Sequence, residues 1–216
     1  MGVRGILTKV QRFGKKEKLG GLNLVVDASA LMYELLKKCG NLFYGGSFSR
    51  FEELLREWMT QFRAQVPHFV VVFDGLSDHS KHETHMRRNQ EKLKAINEMF
   101  KTGIAKKIAE KTVKPPLYDM LMVGILKAMG IEVLISTFES DPDIVRICHD
   151  RGCDGVVSND SDFLVFEVPA LVLLPTIHFS SEEVTGLVLH SHEVWVGLAQ
   201  MAKETVISRS QQPRQD

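Results

Sequence analysis

The chain has 216 residues, 44% of them apolar and 25% charged, and its 27 basic residues balance 27 acidic ones. That is the make-up of one ordinary globular domain with enough apolar material for a substantial core, and the zero balance excludes an overall polycationic binder of nucleic acid. No run approaches the ~20 uninterrupted apolar residues of a membrane span. The three cysteines, Cys39, Cys148 and Cys153, are odd in number and form no CxxC pair, which argues for a reducing, intracellular setting.

The opening segment MGVRGILTKVQRFGKKEK is charged early and has no apolar centre, so it does not read as a signal peptide. LNLVV predicts a strand at 22–26, followed by a helix over ALMYELLKKC. FSRFEELLREWMTQFRAQ predicts a second helix, with Phe51, Leu54, Leu55, Trp58 and Phe62 at helical spacing. HFVVVF predicts a strand at 69–73. PPLYDMLMVGILKAMG predicts a helix that opens at its prolines and stops at Gly130. A strand at 131–136 then leads into DPDIVRICHDRG, a helix with Pro142 in its first turn and Gly152 at its end. Further strands are expected at 155–158 and 171–174. Continuous β-branched runs alternating with helices indicate an α/β fold with a mainly parallel sheet.

Residues 80–114 are helix-compatible but polar, and from 81 onward they hold ten Lys or Arg against four Glu. Too few apolar positions remain for a second core, so a basic helical excursion projecting from the sheet edge is expected. Residues 131–167 hold nine acidic residues against two Arg. A basic segment facing an acidic pocket suits a polyanion held by one and cut at the other. Two solvated faces of unlike charge would give the same counts. The domain is read as residues 1–200, and 201–216 as a disordered tail.

Six carboxylates stand where predicted strands end: Asp27 after LNLVV, Asp74 after HFVVVF, Glu139 and Asp141 after IEVLIST, and Asp160 and Asp162 after GVVSN. Parallel strands of an α/β sheet present their carboxyl ends along one edge, where such folds place ligands. Carboxylates gathered there repel one another unless a hard cation neutralises them. Each has a plainer reading alone. Asp27 suits the N-cap of the following helix, Asp74 with Gly75 suits a tight turn, and Glu139 and Asp141 suit a helix N-terminus. HSKHETH places His79, His82 and His85 three apart, as zinc ligands on a helix would be, but no Cys stands nearby to complete a zinc set. They also suit added positive charge beside the basic residues.

MGVRGIL, VVDASALMY, VFDG, MGIEVLIST, FESDPD and SNDSDFLVF together resemble, in order, the structure-specific 5′ nucleases of the flap endonuclease and xeroderma-pigmentosum-G group. YGG at 44–46 looks closer to the asteroid-like branch. The resemblance covers roughly residues 1–175 and implies a PIN-like three-layer α/β fold. It assigns Asp27, Asp74, Glu139, Asp141, Asp160 and Asp162 to Mg²⁺ or Mn²⁺, with two ions expected. It aligns Lys81 and Arg88 with a basic pair that reaches the scissile phosphate, and Tyr33 with an aromatic on which a terminal base stacks. Gly2 and Arg4 match an N-terminal segment near the active site, and Arg87 and Lys92 fall in the expected basic nucleic-acid surface. The implied partner is nucleic acid, DNA ahead of RNA, in the nucleus and with no membrane. The implied activity is phosphodiester hydrolysis at 5′ ends, flaps or junctions. An asteroid-like binding domain with little catalysis is the second expectation. A small-phosphate hydrolase fits the carboxylates but leaves the basic excursion unexplained.

The departures are specific. The family adds a metal carboxylate from a motif like LLGSDY and then a helix-hairpin-helix, whereas here LVLHSHEVWVGLAQMAKETVI carries neither. The site is expected to be one ligand short, as in a fragment, a splice variant or an inactive form. Pro142 also stands where the family has a small helix former.

Overall fold

The computed structural model describes residues 6–39, 47–76, 117–166 and 168–210, with side chains as far as 201, together with residues 83, 86, 87, 89–91, 93, 94, 97 and 101. A short helix α1 (Ile6–Val10) and a 3₁₀ turn lead into β1 (Lys15–Lys18) and β2 (Asn23–Asp27). Then follow α2 (Ala28–Cys39), α3 (Phe48–Gln65), β3 (His68–Phe73), α4 (Tyr118–Ala128) and β4 (Val133–Ile135). The chain continues through α5 (Ser140–Asp150), β5 (Gly155–Ser158), α6 (Asp162–Val165), β6 (Ala170–Phe179), β7 (Val184–His190) and α7 (Ser191–Ser210).

Local chemistry sets several boundaries. Ser47 caps α3, its hydroxyl accepting from the Arg50 N–H at 3.2 Å. Gly130 and Gly152, at φ 67° and 59°, let the chain leave α4 and α5 through the left-handed region that other residues enter at a cost.

The seven strands form one sheet in the order β1-β7-β6-β5-β2-β3-β4. Neighbours from β6 to β4 run parallel, and β7 and β1 add an antiparallel margin. Successive residues of one strand face opposite layers. Val26, Val71, Phe73 and Val157 pack with Leu31, Phe51, Phe62 and Met122 from α2, α3 and α4. Val25, Val70, Val72 and Val156 pack on the other face with Ile144 and Ile147 of α5 and Phe163 of α6. Burial on both faces explains why these strands read as unbroken apolar runs rather than as alternation.

The expected central strands and the helices that join them are present, with differences at their margins. The strand expected at 131–136 is only Val133–Ile135, and the one at 171–174 extends over Ala170–Phe179. Strands β1 and β7 were not expected: KKEK carries no apolar signal, because an edge strand in solvent needs none. The chain past residue 200 is not an irregular tail at once, since α7 continues to Ser210. The expected excursion lies mostly outside the described residues; those described within it, Arg87 included, are helical and exposed.

Candidate active site

Strand order places the site. From β2 the parallel strands run outward to β3 and β4, and the chain then returns through α5 to lay β5 on the other side of β2. This reversal of direction lies between β2 and β5, and α/β sheets bind ligands at the carboxyl ends of the strands at such a point. Asp27 closes β2, and Asp160 follows β5 by two residues, so the two flank this switch point.

Asp27 is 6% exposed. Its Oδ1 accepts the Ala30 N–H at 3.1 Å and its Oδ2 accepts the Ser158 hydroxyl at 2.7 Å. It therefore caps α2, as the plainer of its sequence readings expected, and also reaches across to β5. Burial, partly offset by the Ser158 hydrogen bond, pushes its carboxyl above the usual range. Asp74 lies just beyond β3 and is exposed. Its Oδ2 accepts the Ser29 hydroxyl at 2.7 Å. Its Oδ1 accepts both the hydroxyl of Ser140, at 2.7 Å, and the Ser140 N–H, at 2.9 Å. Glu139 occupies the N-cap position of α5 without a side-chain cap hydrogen bond. The first turn of α5 is capped instead by Asp74 from across the edge.

Asp141 measures how closely the acids converge. Its carboxyl is raised from 3.8 to about 7, first by burial and then by the charges of Asp27, Asp160, Asp74 and Glu139. Five acids from the ends of four strands thus share one electrostatic neighbourhood. Asp162 joins through Asp160, whose Oδ1 accepts the Asp162 N–H at 2.9 Å. The Asp160 N–H in turn donates to the Ser158 hydroxyl at 3.1 Å.

Gly75 follows Asp74, and the structure gives it a different reason from the turn expected. It has no positive φ; a Cβ there would collide with the Ser136 carbonyl oxygen and lie 2.7 Å from that of Thr137. Only a glycine lets the segments carrying Asp74 and Glu139 pass this close.

Among the described residues, no three of His, Cys, Asp and Glu are drawn together as tightly as a formed metal centre. Serine hydroxyls occupy carboxylate oxygens of Asp27 and Asp74. The donor set nevertheless fits a hard divalent ion, being entirely oxygen and short of positive charge. Asn159, between Ser158 and Asp160, adds a buried Oδ1 with no hydrogen-bond partner among the described residues, a further hard donor in the same loop.

Of the other sequence candidates, Tyr33 is half-buried on α2 and Arg87 is exposed. Gly2, Arg4, Lys81, Arg88 and Lys92 lie outside the described residues, as do His79, His82 and His85. Sequence reasoning missed Ser29, Ser140 and Ser158, the hydroxyls that orient the acids. The signal was present: DAS, ESD and SND each place a serine within two positions of a carboxylate.

No family model matches the chain. A single-strand DNA endonuclease ASTE1 of Danio rerio is 29% identical over 186 residues, covering 83% of this chain and 26% of that protein. The flap endonuclease 1 of Cryptosporidium muris is 29% identical over 171 residues, covering 72% of this chain and 36% of its own length. Over most of its length the chain is thus similar in sequence to proteins named as a single-strand DNA endonuclease and a flap endonuclease. It spans about a quarter to a third of the length of these relatives. A constitutive coactivator of peroxisome proliferator-activated receptor gamma from Bos taurus is 25% identical over 57% of this chain and 18% of its own. The fold is shared with solved structures. The catalytic core of Rad2 in complex with DNA substrate superposes with a TM-score of 0.66 at 17% identity, over 92% of this chain and 57% of that one. The Holliday junction-resolving enzyme GEN1, with product DNA, Mg²⁺ and Mn²⁺, gives 0.52 at 14% identity, over 91% and 42%. The PIN-like α/β architecture read from the sequence is therefore the observed one.

Proposed function

We propose that this chain is the acidic core of a divalent-metal-dependent nuclease that hydrolyses phosphodiester bonds of DNA at 5′ ends, flaps or junctions. The observation that carries the reading is the convergence on Asp141, whose carboxyl is raised to about 7 by burial and by four other acids from separate strand ends. A protein retains such mutual repulsion where a cation relieves it. Asp27, Asp74, Glu139, Asp141, Asp160 and Asp162 would hold Mg²⁺ or Mn²⁺, two ions in this reading, with Asn159 as a further oxygen donor. Ions bound there would supply an activated water and neutralise charge on the phosphodiester oxygens.

The chain's own residues do the rest. Ser29 and Ser140 fix the Asp74 carboxylate, and Ser158 fixes Asp27 while positioning the Asp160 loop. The Asp27 and Asp141 carboxyls, both raised, hold protons readily, and would have to give them up to serve as ligands of a divalent ion. Lys81 and Arg88 are assigned to the scissile phosphate, Tyr33 to stacking on a terminal base, and Gly2, Arg4, Arg87 and Lys92 to the nucleic-acid backbone. A nuclear location accords with a DNA substrate and belongs to the same proposal. The relatives of this domain include proteins named for single-strand cleavage, flap cleavage and junction resolution, which supports the substrate class.

A second reading, a binding domain with little catalysis, draws on the coactivator among the relatives and on the absence of a tightly formed metal cluster among the described residues. Cleavage of 5′-flap and single-stranded DNA in Mg²⁺ or Mn²⁺ decides between them, comparing the unaltered chain with Asp74→Ala and Asp160→Ala. Loss of cleavage in both variants is expected. Cleavage surviving both would remove the metal site from the mechanism, and binding without cleavage by the unaltered chain would favour the second reading.

A further inference from the structure

The acidic edge also carries apolar groups that hydrolysis itself does not use. Phe138 immediately precedes Glu139, and Leu76 follows Asp74 by two positions. They are 53% and 73% exposed. Their roots are fixed: the Gly75 N–H donates to the Phe138 carbonyl at 2.6 Å, and the Leu76 N–H donates to the Thr137 carbonyl at 3.0 Å. The Ser136 N–H donates to the Phe73 carbonyl at 2.9 Å, and Ser140 is anchored on Asp74, so Phe138 has fixed backbone on both sides. Single exposed apolar residues are ordinary on protein surfaces. This one is an aromatic set between two backbone anchors of the acidic edge, one residue from a carboxylate, where it can stack with little entropy left to lose.

We propose that Phe138, with Leu76 beside it, is a stacking platform for an unpaired nucleobase next to the phosphodiester held at the carboxylates. The substrate class is then a single strand, or the unpaired part of a flap or junction. The inference rests on the nuclease reading above and adds what selects the substrate. Ions and basic side chains are assigned to the phosphate, so attraction for the neighbouring base has to come from groups without charge. Stacking supplies it, tolerates every base, and is denied to bases still paired and stacked inside a duplex.

The test is binding without turnover: fluorescence anisotropy in Ca²⁺ with a labelled single strand and a blunt duplex, for the unaltered chain, Phe138→Ala and Phe138→Tyr. A second series moves one abasic position along the single strand. Phe138→Ala should weaken single-strand binding by about tenfold, leave duplex binding within about twofold, and be rescued by Phe138→Tyr. At one position the abasic strand should bind the unaltered chain as weakly as the intact strand binds Phe138→Ala, with no further loss when both changes are combined. Equal losses on strand and duplex, no loss, or additive losses with the abasic strand would overturn the proposal. The abasic series on the unaltered chain does not depend on a variant folding, and a flat response along the whole strand overturns it too. Failure of the unaltered chain to bind either DNA would instead remove the nucleic-acid reading itself, and this inference with it.

Discussion

Replacing Asp141 by Asn should stabilise the metal-free protein. The carboxyl is raised from 3.8 to about 7 in the folded chain, so the fold holds this proton more tightly than the unfolded chain does. Its contribution to stability is present at low pH and is lost as pH rises from about 4 to about 7. Fully ionised, a group displaced by about three pH units would cost roughly 4 kcal/mol. Asp141 is only partly buried, and solvent screening brings the figure to about 1–2 kcal/mol. Asn has nearly the same shape and no charge, so Asp141→Asn should recover that amount at about pH 8, a rise of roughly 3–6 °C in Tm for a chain of this size. At about pH 5 the gain should shrink to roughly a third, because the folded carboxyl is then protonated. Thermal melts followed by far-UV circular dichroism in excess EDTA at the two pH values measure this directly. Addition of Mg²⁺ should raise the Tm of the unaltered chain and do less for the variant, which lacks one donor and needs less neutralisation. An Asp141→Asn protein that melts at or below the unaltered chain at about pH 8 in EDTA would refute the picture of converging, mutually repelling acids.

Two further substitutions probe how the site is held. Ser140→Ala removes one of the hydrogen bonds to Asp74 Oδ1 and should cost about 1–2 kcal/mol in urea unfolding; an unchanged midpoint would mean that solvent replaces the hydroxyl without loss. Gly75→Ala places a Cβ against the Ser136 and Thr137 carbonyl oxygens and should cost about 2 kcal/mol or more. Because backbone must move to admit that Cβ, Gly75→Ala should also displace Asp74 from Ser140, and a cleavage assay on the folded fraction should show loss of activity.

The central strands and the main helices are legible in the sequence because their burial is local and extreme. LVV, VVV and GVV are buried on both faces, and Gly130 and Gly152 end their helices because, with no Cβ, they enter the left-handed region freely. β1 escaped because KKEK sits at a solvent edge and draws its stability from hydrogen bonds to β7, a partner some 170 residues away. β7 left a weak trace, the apolar run VTGLVLH, whose strand identity depends on the antiparallel pairing with β6.

The carboxylates follow the same division. Their positions at strand ends are a property of the sequence, since each follows a run that burial forces to be extended. The sequence alone therefore determined that acids from separate strands would lie along one edge. Only the tertiary structure decided which of them meet. That depended on the return of the chain to lay β5 beside β2, on the close pass that a glycine at 75 permits, and on three serine hydroxyls that fix Asp27 and Asp74. The physical reason is range: burial and helix capping are settled within a few residues, whereas charge convergence at Asp141 sums over groups more than a hundred positions apart in the chain.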